Sequence, residues 1–376
     1  MPSISSIFVA ALFISTVFQT SVLGNNNTAG DTEGSGDGGD IGEHTQCETL
    51  LERSEWYRTD IATYAMFCST YQFSILDCRR ALTDNQKADY IKAIKCLQSK
   101  PALKPVIKEA KTRFDEFQAY HISIADNVHL TGQFLPWHRL FVKSYETALR
   151  EECGYEGATP YWDWSQDAEA FEKSPVYDPT TGFGGNGVPG TYTLPPFGND
   201  SKIYDPTMFY GCVQDGPFAH YNLSIGPGKL VTTHCLTRGI NNTYSSKYLS
   251  AAAVALATKL PTFELFRIQL EGEPITPDHG IHDGGHIAVG GDMSNFYSSP
   301  GDPVFYLHHA NLDRVWWNWQ QMLPQRLYEM SGRSTIVPPF HNVTLDYTLL
   351  MGNLGETRPI RDVMDIHSEP LCYTYV

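Results

Sequence analysis

Apolar and polar positions alternate at helical spacing along much of the chain, most sharply in residues 302–320, DPVFYLHHANLDRVWWNWQ. There Phe305, His309, Leu312 and Trp316 fall on one face of a predicted helix, which turns a histidine toward an apolar interior. A buried imidazole needs a partner, either a backbone carbonyl or a metal ion. Upstream, Phe114, Phe117 and His121 recur at i, i+3 and i+7 within residues 112–122, predicting a second amphipathic helix, with His129 in the loop that follows. Pro136 lies near the first turn of a third helix, whose inner face carries His138, Val142, Tyr145 and Leu149. From Leu50 to Leu103 the pattern is again helical, with Thr83 and Gln86 spaced as a capping box and Pro101 and Pro105 ending the run. Between Thr159 and Tyr248 periodicity gives way to Pro, Gly, Asn and aromatic residues, which predicts long loops with a few short strands. Helices resume over Tyr248–Leu260 and Pro261–Leu270.

Composition narrows the class. The chain has 376 residues, 41% of them hydrophobic and 12% aromatic, enough for a sizeable core. Its formal charge of -15 and lack of a basic stripe argue against a nucleic-acid or anionic-membrane partner. Residues 1–24 read as an export signal, because the apolar run from Ile7 to Phe18 is too short to span a bilayer and Val22 and Gly24 suit a cleavage site. Residues 25–45 form an acidic, Gly-rich leader with too few apolar side chains to order itself. The eight cysteines (Cys47, Cys68, Cys78, Cys96, Cys153, Cys212, Cys235 and Cys372) include no CxxC pair, so disulfides fit better than zinc knuckles. Sequons at Asn26, Asn199, Asn222, Asn241 and Asn342 agree with a secreted, glycosylated protein.

The candidate chemistry lies in the histidines. His121, His129 and His138 converge within eighteen positions, and in HDGGH the i, i+4 pair His282 and His286 sits side by side on a helix. His309 completes a second triad. Gly284 and Gly285, each costing about 1 kcal/mol inside a helix, point to a backbone approaching closely there. Two all-imidazole triads imply two metal ions, with copper the best match and zinc the next. HExxH, the mark of a zinc hydrolase with its own base, is absent.

Taken together, FDEFQAYH, VHLTGQFLPWHRLFVKSYETALREECG and PYWDW, then HDGGHIAVGGDM and the 302–320 segment, resemble the type 3 binuclear copper proteins: tyrosinases, catechol oxidases and molluscan-type haemocyanin units. The resemblance covers about Leu82 to Gln320, and the flanking loops look like those of short secreted ascomycete members. It implies a mainly α catalytic domain over 46–376, a four-helix bundle core holding two coppers, with long disulfide-tied loops. It carries His121, His129 and His138 to one copper and His282, His286 and His309 to the other, leaving His308 as a hydrogen-bonding neighbour. It further implies dioxygen and a small phenol as reactants, with oxidation of o-diphenols to o-quinones and hydroxylation of monophenols. A tailoring oxidase for one phenolic metabolite or tyrosine-containing peptide is the alternative, and an oxygen carrier the reading from another class. Tyr373 and Tyr375 resemble the motif that closes the family's catalytic core, and the resemblance leads to the expectation that this chain works without the removal of a plugging extension.

Two departures from the family stand out. Asn127 occupies the place where some members carry a thioether-forming cysteine, and Asp283 stands where an asparagine often follows the fourth ligand. Asp283 is therefore a candidate catalytic group, either reorienting a water or acting as the base itself. Glu271, with Glu273 as its competitor, is the candidate for the upstream carboxylate. Asp313, at i+4 from His309, is placed to orient a histidine or to pair with a nearby arginine. The tryptophans read as core packing, and Ile287 with the Gly-rich loops is expected to shape the entrance.

Overall fold

The computed structural model describes residues 74–272 and 279–376. The predicted export signal, the leader, Asn26, Cys47, Cys68 and Glu273 lie outside them. The described chain is built on eight α-helices: α1 (Asp84–Ser99), α2 (Arg113–Val128), α3 (Phe134–Cys153), α4 (Asn242–Tyr248), α5 (Ala251–Thr258), α6 (Phe263–Glu271), α7 (Ile281–Val289) and α8 (Val304–Gln321). Short strands accompany them: β1 (Ser74–Leu76), β2 (Gly187–Pro189), β3 (Gly211–Val213), β4 (Asn222–Leu223), β5 (His234–Cys235), β6 (Thr237–Arg238), β7 (Thr348–Leu349), β8 (Arg358–Pro359) and β9 (Tyr373–Tyr375).

Local sequence explains most of the helix boundaries. Thr83 and Gln86 form the expected capping box at the start of α1, and Thr112 with Asp115 forms another ahead of α2, so orphan N–H groups at the start of each helix are satisfied. α3 stops at Gly154, whose φ of 67° is left-handed and costs a glycine nothing. α2 runs further than its apolar face predicted, to Val128, and His129 caps it instead of lying in a free loop. α3 begins at Phe134, two residues before Pro136. The helix expected over 248–260 is α5, which starts only at Ala251 because the Ser250 side chain caps it by accepting from the Ala253 N–H, while α4 forms within the stretch expected to be loop.

Between α3 and α4 the chain forms 3-10 turns and two- or three-residue strands, as its turn residues predict. β2, β3 and β6 make a small antiparallel sheet, and β4 pairs with β5. Disulfides brace this architecture: Cys96–Cys153 joins α1 to α3, and Cys212–Cys235 ties β3 to β5. Among the described residues no helix is long and apolar enough to cross a membrane.

The ends of the described core meet in one buried polar cluster. β9 pairs in parallel with β1, which places Tyr373 and Tyr375 beside α8. Both phenols donate to Asp313 Oδ2, at 2.5 and 2.6 Å, while Asp313 Oδ1 accepts from Arg139 Nε on α3. Arg139 also donates to the carbonyls of Val363 and Met364 and to Gln320 Oε1, and its guanidinium lies 3.7 Å from the centre of the Trp316 ring. Asp313 therefore orients no histidine. It serves α3, α8 and β9, and Arg314 pairs instead with Asp163 at 3.5 Å.

Candidate metal centre

Four helices bring the six histidines together. α2 supplies His121 and, at its cap, His129; α3 supplies His138; α7 supplies His282 and His286; α8 supplies His309. All six are buried, and within each triad one ring nitrogen per residue lies within 4.8 Å of the others. The triads face each other: His138 stacks on His309 with ring centres 4.4 Å apart, and His129 lies 5.8 Å from His282.

Main-chain oxygens aim most of these rings. His121 Nδ1 donates to the Tyr297 carbonyl (2.7 Å), His129 to Ala125 (2.9 Å), His138 to Phe134 (2.8 Å) and His286 to Met293 (2.8 Å). His282 Nδ1 donates to Asp283 Oδ1 at 3.0 Å. Each such bond puts the proton on Nδ1 and leaves Nε2 as a lone pair. The Nε2 atoms of His121 and His138 are buried with no hydrogen-bond partner, and those of His282 and His286 point at each other across 3.1 Å. His286 Nε2 also lies 3.3 Å from His309 Nε2. Opposed lone pairs in a dry site repel unless a cation sits between them, so the donor set fits two imidazole-bound metal ions. His309 differs, since its Nδ1 has no partner among the described residues and its ring is held by Phe305, 4.1 Å away, and by His138.

Burial keeps five of the ligands unprotonated. It lowers His121 to about 4 and takes His129, His138, His286 and His309 well below the ordinary imidazole range, with neighbouring rings adding to the effect. A histidine must lose its proton to bind a metal, so these five ligands need release no proton near neutral pH.

His308 supports the centre without joining it. Its Nδ1 accepts from Trp164 Nε1 (3.0 Å) and its Nε2 donates to the His282 carbonyl (3.1 Å), so one of the core tryptophans fixes a tautomer. The two glycines of α7 make room for side chains, not for the backbone that the sequence suggested. A Cβ on Gly285 would lie 2.2 Å from His308 Cε1, and one on Gly284 would lie 2.3 Å from Tyr248 Cβ. Gly285→Ala is expected to displace His308 and strain α7 by about 1–3 kcal/mol. Thermal unfolding together with copper content measures this, and an unchanged melting temperature would mean that the ring moves aside freely.

The two candidate carboxylates differ. Asp283 lines the cavity in front of the triads, and each of its oxygens meets an imidazole: Oδ1 that of His282, Oδ2 that of His279 at 3.4 Å. Burial raises its pKa, but hydrogen bonds and charge from His279 and His282 outweigh that and bring it to about 2. Glu271 is buried behind the site, at the end of α6, where Oε1 accepts from the Leu130 N–H beside His129 and Oε2 meets Arg267 at 3.1 Å. Burial pushes its carboxyl up to about 8, against the pull of Arg267 and the Leu130 N–H.

The cavity measures about 110 Å³. His129 of one triad and His282 and His286 of the other line it, with Ile287, Tyr204, Asn295 and Phe296. Ile287 is where the sequence reading put it, whereas the Gly-rich loops do not line the cavity. Tyr204 and Phe296 were not foreseen, because no periodic pattern marks either. Phe296 packs 4.6 Å from His129 and carries the Lys202 ammonium over its ring at 3.7 Å.

Residues 111–322 match the family model described as the common central domain of tyrosinase. The tyrosinase-like protein phomQ1 of Diaporthe leptostromiformis is 36% identical over 358 residues, covering 88% of this chain and 78% of its own. The N-acetyl-6-hydroxytryptophan oxidase ivoB of Emericella nidulans is 31% identical, covering 82% of this chain and 93% of its own. A polyphenol oxidase variant from Thermothelomyces thermophila superposes with a TM-score of 0.73 at 31% identity, over 88% of this chain and 94% of that one. Six converging histidines, the matching central domain and these relatives place the chain in the tyrosinase family, among copper oxidoreductases with a binuclear site.

Proposed function

We propose that the chain is a secreted enzyme that oxidises o-diphenols to o-quinones with dioxygen and also acts on monophenols. One observation carries this reading: ligands from both triads open onto the same small cavity. Its volume of about 110 Å³ suits a single aromatic ring, and its walls are aromatic and aliphatic. Bound by the two triads, a pair of copper ions supplies two-electron exchange with dioxygen.

The chain's own residues then bind and aim. Phe296 and Ile287 hold the phenol ring against the imidazoles, and the buried triads keep bulk water from the reacting hydroxyl. Asp283 stays ionised and fixes the His282 ring, which favours a positioning role over that of a proton acceptor. Glu271 anchors the chain next to His129 through the Leu130 N–H. Secretion is supported by the disulfides and by the exposed sequons at Asn199, Asn222, Asn241 and Asn342.

The test compares catechol and monophenol turnover in the wild type and in Asp283→Asn, with copper measured alongside. Two coppers per chain, surviving diphenol oxidation and an altered monophenol rate are expected. Full activity with fewer than two coppers per chain would overturn the reading, and identical activity on both substrates would remove Asp283 from it. The name of the relative ivoB favours a second reading, a tailoring oxidase for one phenolic metabolite, which a substrate panel separates from the first.

A further inference from the structure

We propose that His279, which ligates neither metal, takes the proton from the phenolic hydroxyl of the bound substrate. The proposal rests on the reading of the cavity as a phenol site.

Asp283 is bridged by two imidazoles with different duties. The one on Oδ1 belongs to a metal ligand, His282, and the one on Oδ2 belongs to His279. A hydrogen on His279 Nδ1 satisfies the contact with Asp283 Oδ2 and leaves Nε2 as a lone pair. That nitrogen has no hydrogen-bond partner among the described residues. A carboxylate bonded to one imidazole nitrogen orients the ring and fixes its tautomer, the arrangement that positions histidine bases in general. The 3.4 Å contact is long, as catalytic hydrogen bonds often are before substrate arrives.

His279 is also suitably placed. It lines the same cavity as His129, His282 and His286, and its side chain is 42% exposed, so it can hand a proton on to solvent. Its ring stands edge-on to Tyr248, with centres 5.6 Å apart and planes at 87°, which limits its swing. The titratable groups around it among the described residues are Asp283 on α7, Tyr248 on α4 and, across the cavity, Tyr204 and the ligand imidazoles. Among the described residues no lysine or arginine lines the cavity to assist ionisation, and both oxygens of Asp283 are occupied. In the step itself the phenol O–H bond breaks, the proton passes to His279 Nε2, and the electron pair stays on the phenolate oxygen. Nothing is oxidised or reduced.

Two readouts test this. In the first, protein loaded with redox-inactive zinc binds 4-nitrophenol, whose ionisation is followed by its own absorbance as pH is varied. His279→Gln is expected to ionise the bound probe at a pH higher by about one unit or more. In the second, the copper-loaded His279→Ala variant is expected to lose about 10²-fold in kcat/KM toward phenols and to regain part of it with added imidazole. Both variants should keep two metal ions per chain. Ionisation of the probe at the same pH in wild type and His279→Gln would overturn the proposal, as would a rate loss that imidazole does not relieve. If the wild type oxidises no phenol yet the probe shift persists, the proposed function fails while the role of His279 stands.

Discussion

Replacing His309 by alanine is expected to reduce the copper content from two ions per chain to one or fewer and to abolish oxidation. The neighbouring His308→Gln keeps two. Adjacent on α8, the two rings face different duties: His309 Nε2 lies 3.3 Å from His286 Nε2, whereas both nitrogens of His308 are taken by Trp164 and the His282 carbonyl. Losing a hydrogen bond behind a ligand weakens metal binding by about 10–100-fold. Losing a ligand removes one of only three donors and leaves two lone pairs opposed in a buried site. The His309 change should therefore exceed the upper end of that range, and the His308 change should fall within it. Copper titration of both variants, read beside turnover, decides the matter. A His308 variant that lost copper more severely than the His309 variant would exchange their roles.

The largest effect on stability is expected at Asp313. Asp313→Ala leaves the Arg139 guanidinium, wholly buried, without its counter-charge and leaves two phenols without their acceptor. Breaking a buried ion pair from one side costs about 3–5 kcal/mol, a large share of the margin that holds a domain folded. Replacing both partners, Arg139→Met with Asp313→Leu, should cost less than the single change, because no buried charge then remains unpaired. Denaturant unfolding of the metal-loaded protein measures both. If the double variant were the weaker of the two, packing against Trp316 would matter more than charge.

Periodicity made much of this centre legible in advance. His121, His138 and His309 could be read because each shares a helical face with large apolar residues, and His282 and His286 because four residues make one turn. What escaped was set by partners distant in sequence. Asp313 looked like a neighbour of His309 on its own helix, yet its partners are Arg139, Tyr373 and Tyr375. The glycines of α7 signalled crowding, but the neighbours they admit come from α4 and α8. Tyr204, Phe296 and His279 lie in segments without a repeating pattern, so only the folded chain shows that they share a cavity.

Four of the six ligand rings take their direction from oxygens that every residue type possesses, those of Ala125, Phe134, Met293 and Tyr297. No side-chain substitution at those four positions deletes the acceptor, so natural drift can vary their chemistry while the aim of the ligands persists. What such positions cannot tolerate is a change in the course of the main chain. An engineer seeking to retune this centre would gain more from inserting or deleting a residue near 293–297 than from any exchange of side chains there.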